Sequence, residues 1–218
     1  MIKVKFITSM GEEGAILGMR NAYDSRDKSD SYVSWVETEG GEYKMFMIGG
    51  RDMDLCKKLI TAGPSHRKFL RQMFIQFDIE APLYWLKELD TYRIGVERNS
   101  GSTMHTIHKK KFSIDDFSHD KLGNDEEAAT ALNYTISVLN YLRVKYLETK
   151  DKKYWYQIIQ LLPSSYMQFR TYTFSYEALL NVYHDRHTHR LDEWRDFCEW
   201  IKNLRYMREF IDAMNSRE

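Results

Sequence analysis

The chain has three prolines and two cysteines among its 218 residues, carries no net charge and contains no long apolar run. Each absence excludes something. Cys56 and Cys198 lie in amphipathic helical patterns without a CxxC pair, which suits buried thiols in a reducing cytoplasm rather than cysteine chemistry. Lys plus Arg and Asp plus Glu both number 32, so no global field points to a nucleic acid or a membrane. The run Lys109–Lys111 reads as a solvated loop. No apolar stretch approaches the ~20 residues of a membrane span. The start, MIKVKFITSM, alternates like a strand and does not resemble a signal peptide. No HExxH, GxSxG, P-loop or GxGxxG pattern occurs, so protease, hydrolase, NTPase and dinucleotide-fold readings lack support. No linker, repeat or low-complexity segment divides the chain.

What is present is a packed globular composition, 43% hydrophobic and 14% aromatic. Ile2, Val4 and Phe6 share one face of a first strand. A helix is expected over Glu12–Tyr23, then a polar loop Asp24–Asp30. A second helix, Asp52–Ala62, ends at Gly63. Between Lys68 and Glu80 the alternation of Met73, Ile75, Phe77 and Ile79 with Gln76, Asp78 and Glu80 marks a strand. Pro82 opens a helix to about Tyr92. Further helices are expected over Asn124–Leu147, Lys153–Leu162, Glu177–His184 and from Thr188 through Ile211, with a strand over Gln168–Phe174. The sum is one α+β domain over 1–218, an antiparallel sheet packed with long helices.

Two stretches carry candidate chemistry. HDRHTHR brings His184, His187 and His189 close in sequence, but it also reads as the basic end of a helix, and no metal site is expected. TYRIGVERNSGSTMH, residues 91–105, offers two arginines suited to phosphate and, at Ser100, Gly101 and Ser102, backbone N–H groups for an anion nest. The plainer reading is a solvated loop whose arginines pair with Glu88, Asp90 or Glu97.

The order of segments resembles the flavin-dependent thymidylate synthases, in a divergent form. MRNAYD (Met19–Asp24) is similar to that family's Arg-x-Ser-Tyr/Phe-Asp segment. His66-Arg67-Lys68-Phe69 looks like its Gly-His-x-x-Pro-Phe. The strand MFIQFDIEAP matches, and the count from Ala81-Pro82 that reaches Arg-His-Arg in the family reaches Thr91-Tyr92-Arg93 here. EALLNVYHDR (Glu177–Arg186) resembles its Arg-Ser-Leu-x-Asn-Phe-Leu-x-Leu-Arg helix.

The resemblance implies reductive methylation of dUMP to dTMP. Methylenetetrahydrofolate supplies the carbon, reduced FAD the hydride, and NADPH re-reduces the flavin. It implies a cytoplasmic homotetramer with shared sites. Arg93 and Ser100 would be catalytic. His66, Thr91, Tyr92, Arg93, Ser175 and Asn181 would meet the cofactor. Glu88, Arg98, Asn99, Ser100, Gly101, Ser102 and Arg186 would meet the nucleotide. The departures are Thr91 and Tyr92 for Arg and His, Ser102-Thr103 for Arg-Tyr, Glu88 for a glutamine, and Ile159 for an arginine. Arg98, Lys87 and Arg170 are the cations able to compensate. Alternatives are the same fold on another pyrimidine nucleotide, or a non-catalytic nucleotide-binding or assembly protein.

Overall fold

The structure is a computed structural model and describes residues 2–38, 41–123 and 125–216. In chain order its main elements are β1 (Lys3–Met10), α1 (Glu12–Met19), β2 (Tyr32–Thr38), β3 (Gly41–Met47), α2 (Gly50–Ala62), β4 (Phe74–Pro82), α3 (Leu83–Leu89), β5 (Val96–Ser100), α4 (Thr103–Thr106), α5 (Glu126–Thr149), α6 (Lys152–Leu161), β6 (Met167–Ser175), α7 (Tyr176–Arg186), α8 (Asp192–Lys202) and α9 (Met207–Asn215). This is the expected α+β fold with an antiparallel sheet and long helices. The main sheet runs β1-β4-β6-β5, and β2 and β3 form a separate antiparallel hairpin. Among the described residues no helix is long and apolar enough to cross a membrane.

The polypeptide divides into two compact units. The first takes Met1–Lys5, Asp78–Tyr92 and Arg98–Thr171; the second takes Phe6–Phe77, Arg93–Glu97 and Tyr172–Glu218. Every strand of the main sheet gives residues to both.

The first unit is built on the α5–α6 pair. Asp125 caps α5 by accepting from the Ala128 N–H at 2.9 Å, and Asp151 caps α6 by accepting from Lys153 at 2.9 Å. Leu132, Ile136, Leu139 and Leu142 recur every three or four residues, so one face of α5 meets Ile107, Phe112, Phe117 and Ile158 in a single core. Asn140 fastens the preceding loop, accepting from the Phe112 N–H and donating to the Phe112 carbonyl, both at 2.9 Å. The expected start of this helix, Asn124, lies outside the described residues.

The second unit is held by aromatic packing. Phe77 meets Tyr172, Phe174, Phe197 and Trp200 with ring centroids 4.8–5.8 Å apart. Buried Asp52 on α2 accepts from Ser29 and Ser31 and pairs with Arg20, which fastens the polar 24–31 segment.

Several boundaries differ from expectation for identifiable reasons. Phe69 and Leu70 are both buried, which consecutive residues of a one-faced strand cannot be, so Lys68–Arg71 is a 3-10 turn and β4 starts at Phe74. The helix after Met10 stops at Met19 and continues only as a 3-10 turn, Asn21–Tyr23. Pro82 is extended and caps α3 from outside, and α3 ends at Leu89, short of Tyr92. The 91–105 segment is not one loop: it contains β5 and α4. The expected last helix is two, broken at Tyr206, whose φ is 64°. The β2–β3 hairpin was not expected. Phe6 does not share the burial of Ile2; it is 48% exposed.

Candidate functional site

In the second unit the candidate residues converge on α7. Ser175 ends β6 and caps this helix, accepting from the Ala178 N–H at 3.2 Å. It is 2% exposed, and the cap bond uses its oxygen as an acceptor. Glu177 and Asn181 stand four apart and share one helical face. Both are held by Arg67, 4% exposed, which follows the Gly63–Pro64 turn. Its Nε donates to Glu177 Oε1 at 3.1 Å and its Nη2 to Asn181 Oδ1 at 2.9 Å. Arg71 pairs with the other Glu177 oxygen. The Asn181 amide oxygen is thereby engaged, and its N–H2 group is the part left to serve a ligand.

His66, beside Arg67, is exposed on a cavity of about 400 Å³ that Asn21, Tyr23, Ser65 and Lys68 also line. Two stretches far apart in sequence, MRNAYD and HRKF, thus meet at one opening. Its size falls in the range of small-molecule sites.

Arg93 is exposed, two residues before Gly95. Gly95 has φ of +72° and its carbonyl accepts from the Ser175 N–H at 2.7 Å. A Cβ there would lie 2.5 Å from Ser175 Oγ, so only glycine fits. The Arg93 turn is thus anchored to the head of α7. Arg186, at the other end of α7, lies over the Trp194 ring at 4.9 Å.

His187 stacks on Tyr183 with centroids 5.2 Å apart, and among the described residues no three His, Cys, Asp or Glu side chains converge.

In the first unit, Asp90 accepts from Arg170 Nη1 at 2.7 Å and lies 3.3 Å from Arg98 Nη1. The plainer expectation, that a loop arginine pairs with a neighbouring acid, therefore holds for Arg98. Arg170 Nε donates to Gln168 Oε1 at 2.8 Å, and Gln168 Nε2 donates to the Gly101 carbonyl at 2.7 Å. This chain of bonds ties the Ser100-Gly101 step to the arginine pair.

The expected anion nest is corrected here. The Gly101 N–H donates to the Phe169 carbonyl at 2.9 Å, because Ser100 closes β5 against β6. Ser102 accepts from His105 N–H at 3.1 Å as the cap of the short α4. Arg98, Asn99 and Ser100 are exposed strand residues rather than loop residues. Thr91 is exposed and donates its hydroxyl to the Glu88 carbonyl at 2.7 Å, while Glu88 and Tyr92 are half-buried. Ile159 packs on the core of this unit, so the position has become structural.

Sequence reasoning missed Arg67 and Glu177 as organising groups. Arg67 and Glu177 lie inside the motifs already singled out, but only burial marks them.

No protein-family model matches the chain, and no curated protein matches its sequence. Solved structures do match. Thymidylate synthase X (ThyX) from Helicobacter pylori, solved with FAD and dUMP, aligns over 98% of this chain and 99% of its own, at 19% identity and a TM-score of 0.69. The UMP/dUMP methylase PolB from Streptomyces cacaoi, bound with 5-Br dUMP, aligns over 100% of this chain and 97% of its own, at 13% identity and a TM-score of 0.67. The chain has the fold of a nucleotide-methylating α+β enzyme class. More particularly, it is the fold of the flavin-dependent thymidylate synthases.

Proposed function

We propose that this protein is a divergent flavin-dependent thymidylate synthase, converting dUMP to dTMP with methylenetetrahydrofolate as carbon donor and NADPH as final reductant. The observation that carries the reading is the fold itself, shared over nearly the whole length with an enzyme that holds FAD and dUMP. The donor set fits such ligands. Arg98 is exposed beside Asp90, and a forked guanidinium matches a phosphate. Asn181 offers an N–H2 group whose direction Arg67 fixes, the kind of donor a flavin carbonyl accepts.

In this reading His66, Tyr92, Arg93 and Asn181 hold FAD, which supplies the hydride. Arg98, Ser100 and Arg186 orient the nucleotide. Positioning, rather than an enzyme nucleophile, is what the chain contributes: both cysteines are buried. Thr91 and Ser175 also bond to the backbone through their hydroxyls, and each keeps hydrogen-bonding capacity that could meet the cofactor. A cytoplasmic homotetramer sharing sites between subunits belongs to the same proposal.

A second reading keeps the fold but changes the pyrimidine nucleotide. The replacement of Arg-His by Thr91-Tyr92, and the likeness to a UMP/dUMP methylase, favour it. Tritium release from 5-tritiated dUMP, with reduced FAD and methylenetetrahydrofolate, tests the first reading. Release above the protein-free rate is expected. Protein that is colourless and binds neither FAD nor dUMP overturns it. Release from 5-tritiated UMP exceeding that from dUMP favours the second.

A further inference from the structure

The break between α8 and α9 lines a cavity of about 610 Å³ that the functional reading leaves unused. It lies wholly within the second unit. Its walls are aromatic: Phe6 from β1, Tyr43 and Phe46 from β3, Trp200 from α8 and Tyr176 from α7. Phe6 and Tyr43 are 48% and 46% exposed, so two of the aromatic walls are open to solvent.

Arg205 also lines the cavity, and it is half-buried. Among the described residues no carboxylate pairs with it. Its guanidinium stands 4.5 Å over the Tyr206 ring and contacts Tyr206 Oη and, at 2.8 Å, Met47 Sδ. A half-buried guanidinium whose contacts among the described residues are a phenol and a thioether carries donors that suit an anion. The charges on the lining agree, with Arg205 and Lys44 against Glu12 alone.

The geometry is held in place. Tyr206 takes a left-handed φ of 64°, which costs a non-glycine residue on the order of 1 kcal/mol. Its hydroxyl accepts from the Ile48 N–H at 2.9 Å, fastening the break to the end of β3. Tyr176 donates its hydroxyl to the Arg205 carbonyl at 3.1 Å, fixing the neighbouring peptide. A continuous helix through 203–206 would remove the strain and also the position of Arg205. Strain kept where a cavity opens points to use.

We propose that this cavity binds a planar aromatic anion, its ring on the aromatic walls and its charge on Arg205. The proposal is independent of the reaction assigned above. The test uses the full chain saturated with FAD and dUMP and two probes, the anionic 8-anilinonaphthalene-1-sulfonate and the neutral N-phenyl-1-naphthylamine. One saturable sulfonate site per chain is expected. Arg205→Gln should weaken the sulfonate about tenfold and leave the neutral probe unchanged. Phe6→Ser, at an exposed position, should weaken both.

Equal loss of both probes in Arg205→Gln, or no loss of either, overturns the proposal. So does sulfonate displacement by FAD or dUMP, or sulfonate binding that falls as the chain self-associates, which would make the surface an interface. If FAD and dUMP fail to bind while the sulfonate behaves as stated, the functional reading falls and this one stands. If Arg205→Gln loses its native circular dichroism, Phe6→Ser decides: unchanged affinity for both probes overturns the proposal.

Discussion

Replacing Glu177 with glutamine should be among the more damaging conservative substitutions in this protein. Glu177 and Arg67 have side chains only 9% and 5% exposed, with 3.1 Å between them. Removing the negative charge leaves a buried guanidinium without its counter-charge, which costs about 3–5 kcal/mol when a partner is lost outright. Glutamine keeps one acceptor oxygen, so about 3 kcal/mol is the figure to expect. For a chain of this length that is a fall in Tm of roughly 6–12 °C. Arg71→Gln removes the other half of the cluster. Because Arg71 is 49% exposed, that loss should stay within about 1 kcal/mol, or roughly 2–4 °C.

The same cluster sets the Asn181 amide, so Arg67→Met should release FAD more readily even where the protein stays folded. Differential scanning calorimetry and FAD retention on gel filtration read the two effects. Joint replacement by Arg67→Met and Glu177→Leu should recover much of the stability without recovering FAD. Glu177→Gln and Arg71→Gln giving equal falls in Tm would refute the burial argument. Unchanged FAD retention in folded Arg67→Met would refute the positioning one.

Acid stability should depend on Asp52. Burial pushes its carboxyl up, but hydrogen bonds from Ser29, Ser31 and Arg20 outweigh that and hold it below the usual carboxylate value. A depressed folded pKa stabilises above the unfolded value of 3.8 and is lost as pH falls through the folded one, so Asp52→Asn should flatten the stability curve below pH 3.8, as urea titrations at pH 3 and 6 would register. Gly95→Ala should cost about 2 kcal/mol or more, from positive φ and the contact with Ser175, and adding Ser175→Gly should restore part of it in chemical denaturation. Neither cysteine should react with Ellman's reagent in the native state at pH 8, because burial pushes Cys198 up to about 12 and Cys56 higher still; rapid native labelling would contradict their placement.

Local patterns were legible where one chemical rule acts alone. The alternation through β4 gave its buried face, Ile75, Phe77 and Ile79. The spacing of Leu132, Ile136, Leu139 and Leu142 gave the face of α5. The β2–β3 hairpin was missed because Tyr32–Thr38, YVSWVET, has no period-two alternation, and several of its large side chains stay exposed. β5 was missed because Arg98, Asn99 and Ser100 have no strand pattern; only pairing with β6 makes them a strand.

The sequence by itself determined the glycine that ends α2 and the core faces of β4 and α5, since these depend on neighbours within a few residues. It also held the ordered motifs that resemble a flavin enzyme. Tertiary structure alone decided which polar groups remain available. It spent the Gly101 N–H on the Phe169 carbonyl, gave Asp90 to Arg170 as well as to Arg98, and turned Asn181 by way of Arg67, 114 residues away. It also broke the last helix at Tyr206 and set Arg205 among aromatic rings. Hydrogen-bond capacity is finite and must be satisfied on burial, and where it is satisfied depends on residues distant in the chain.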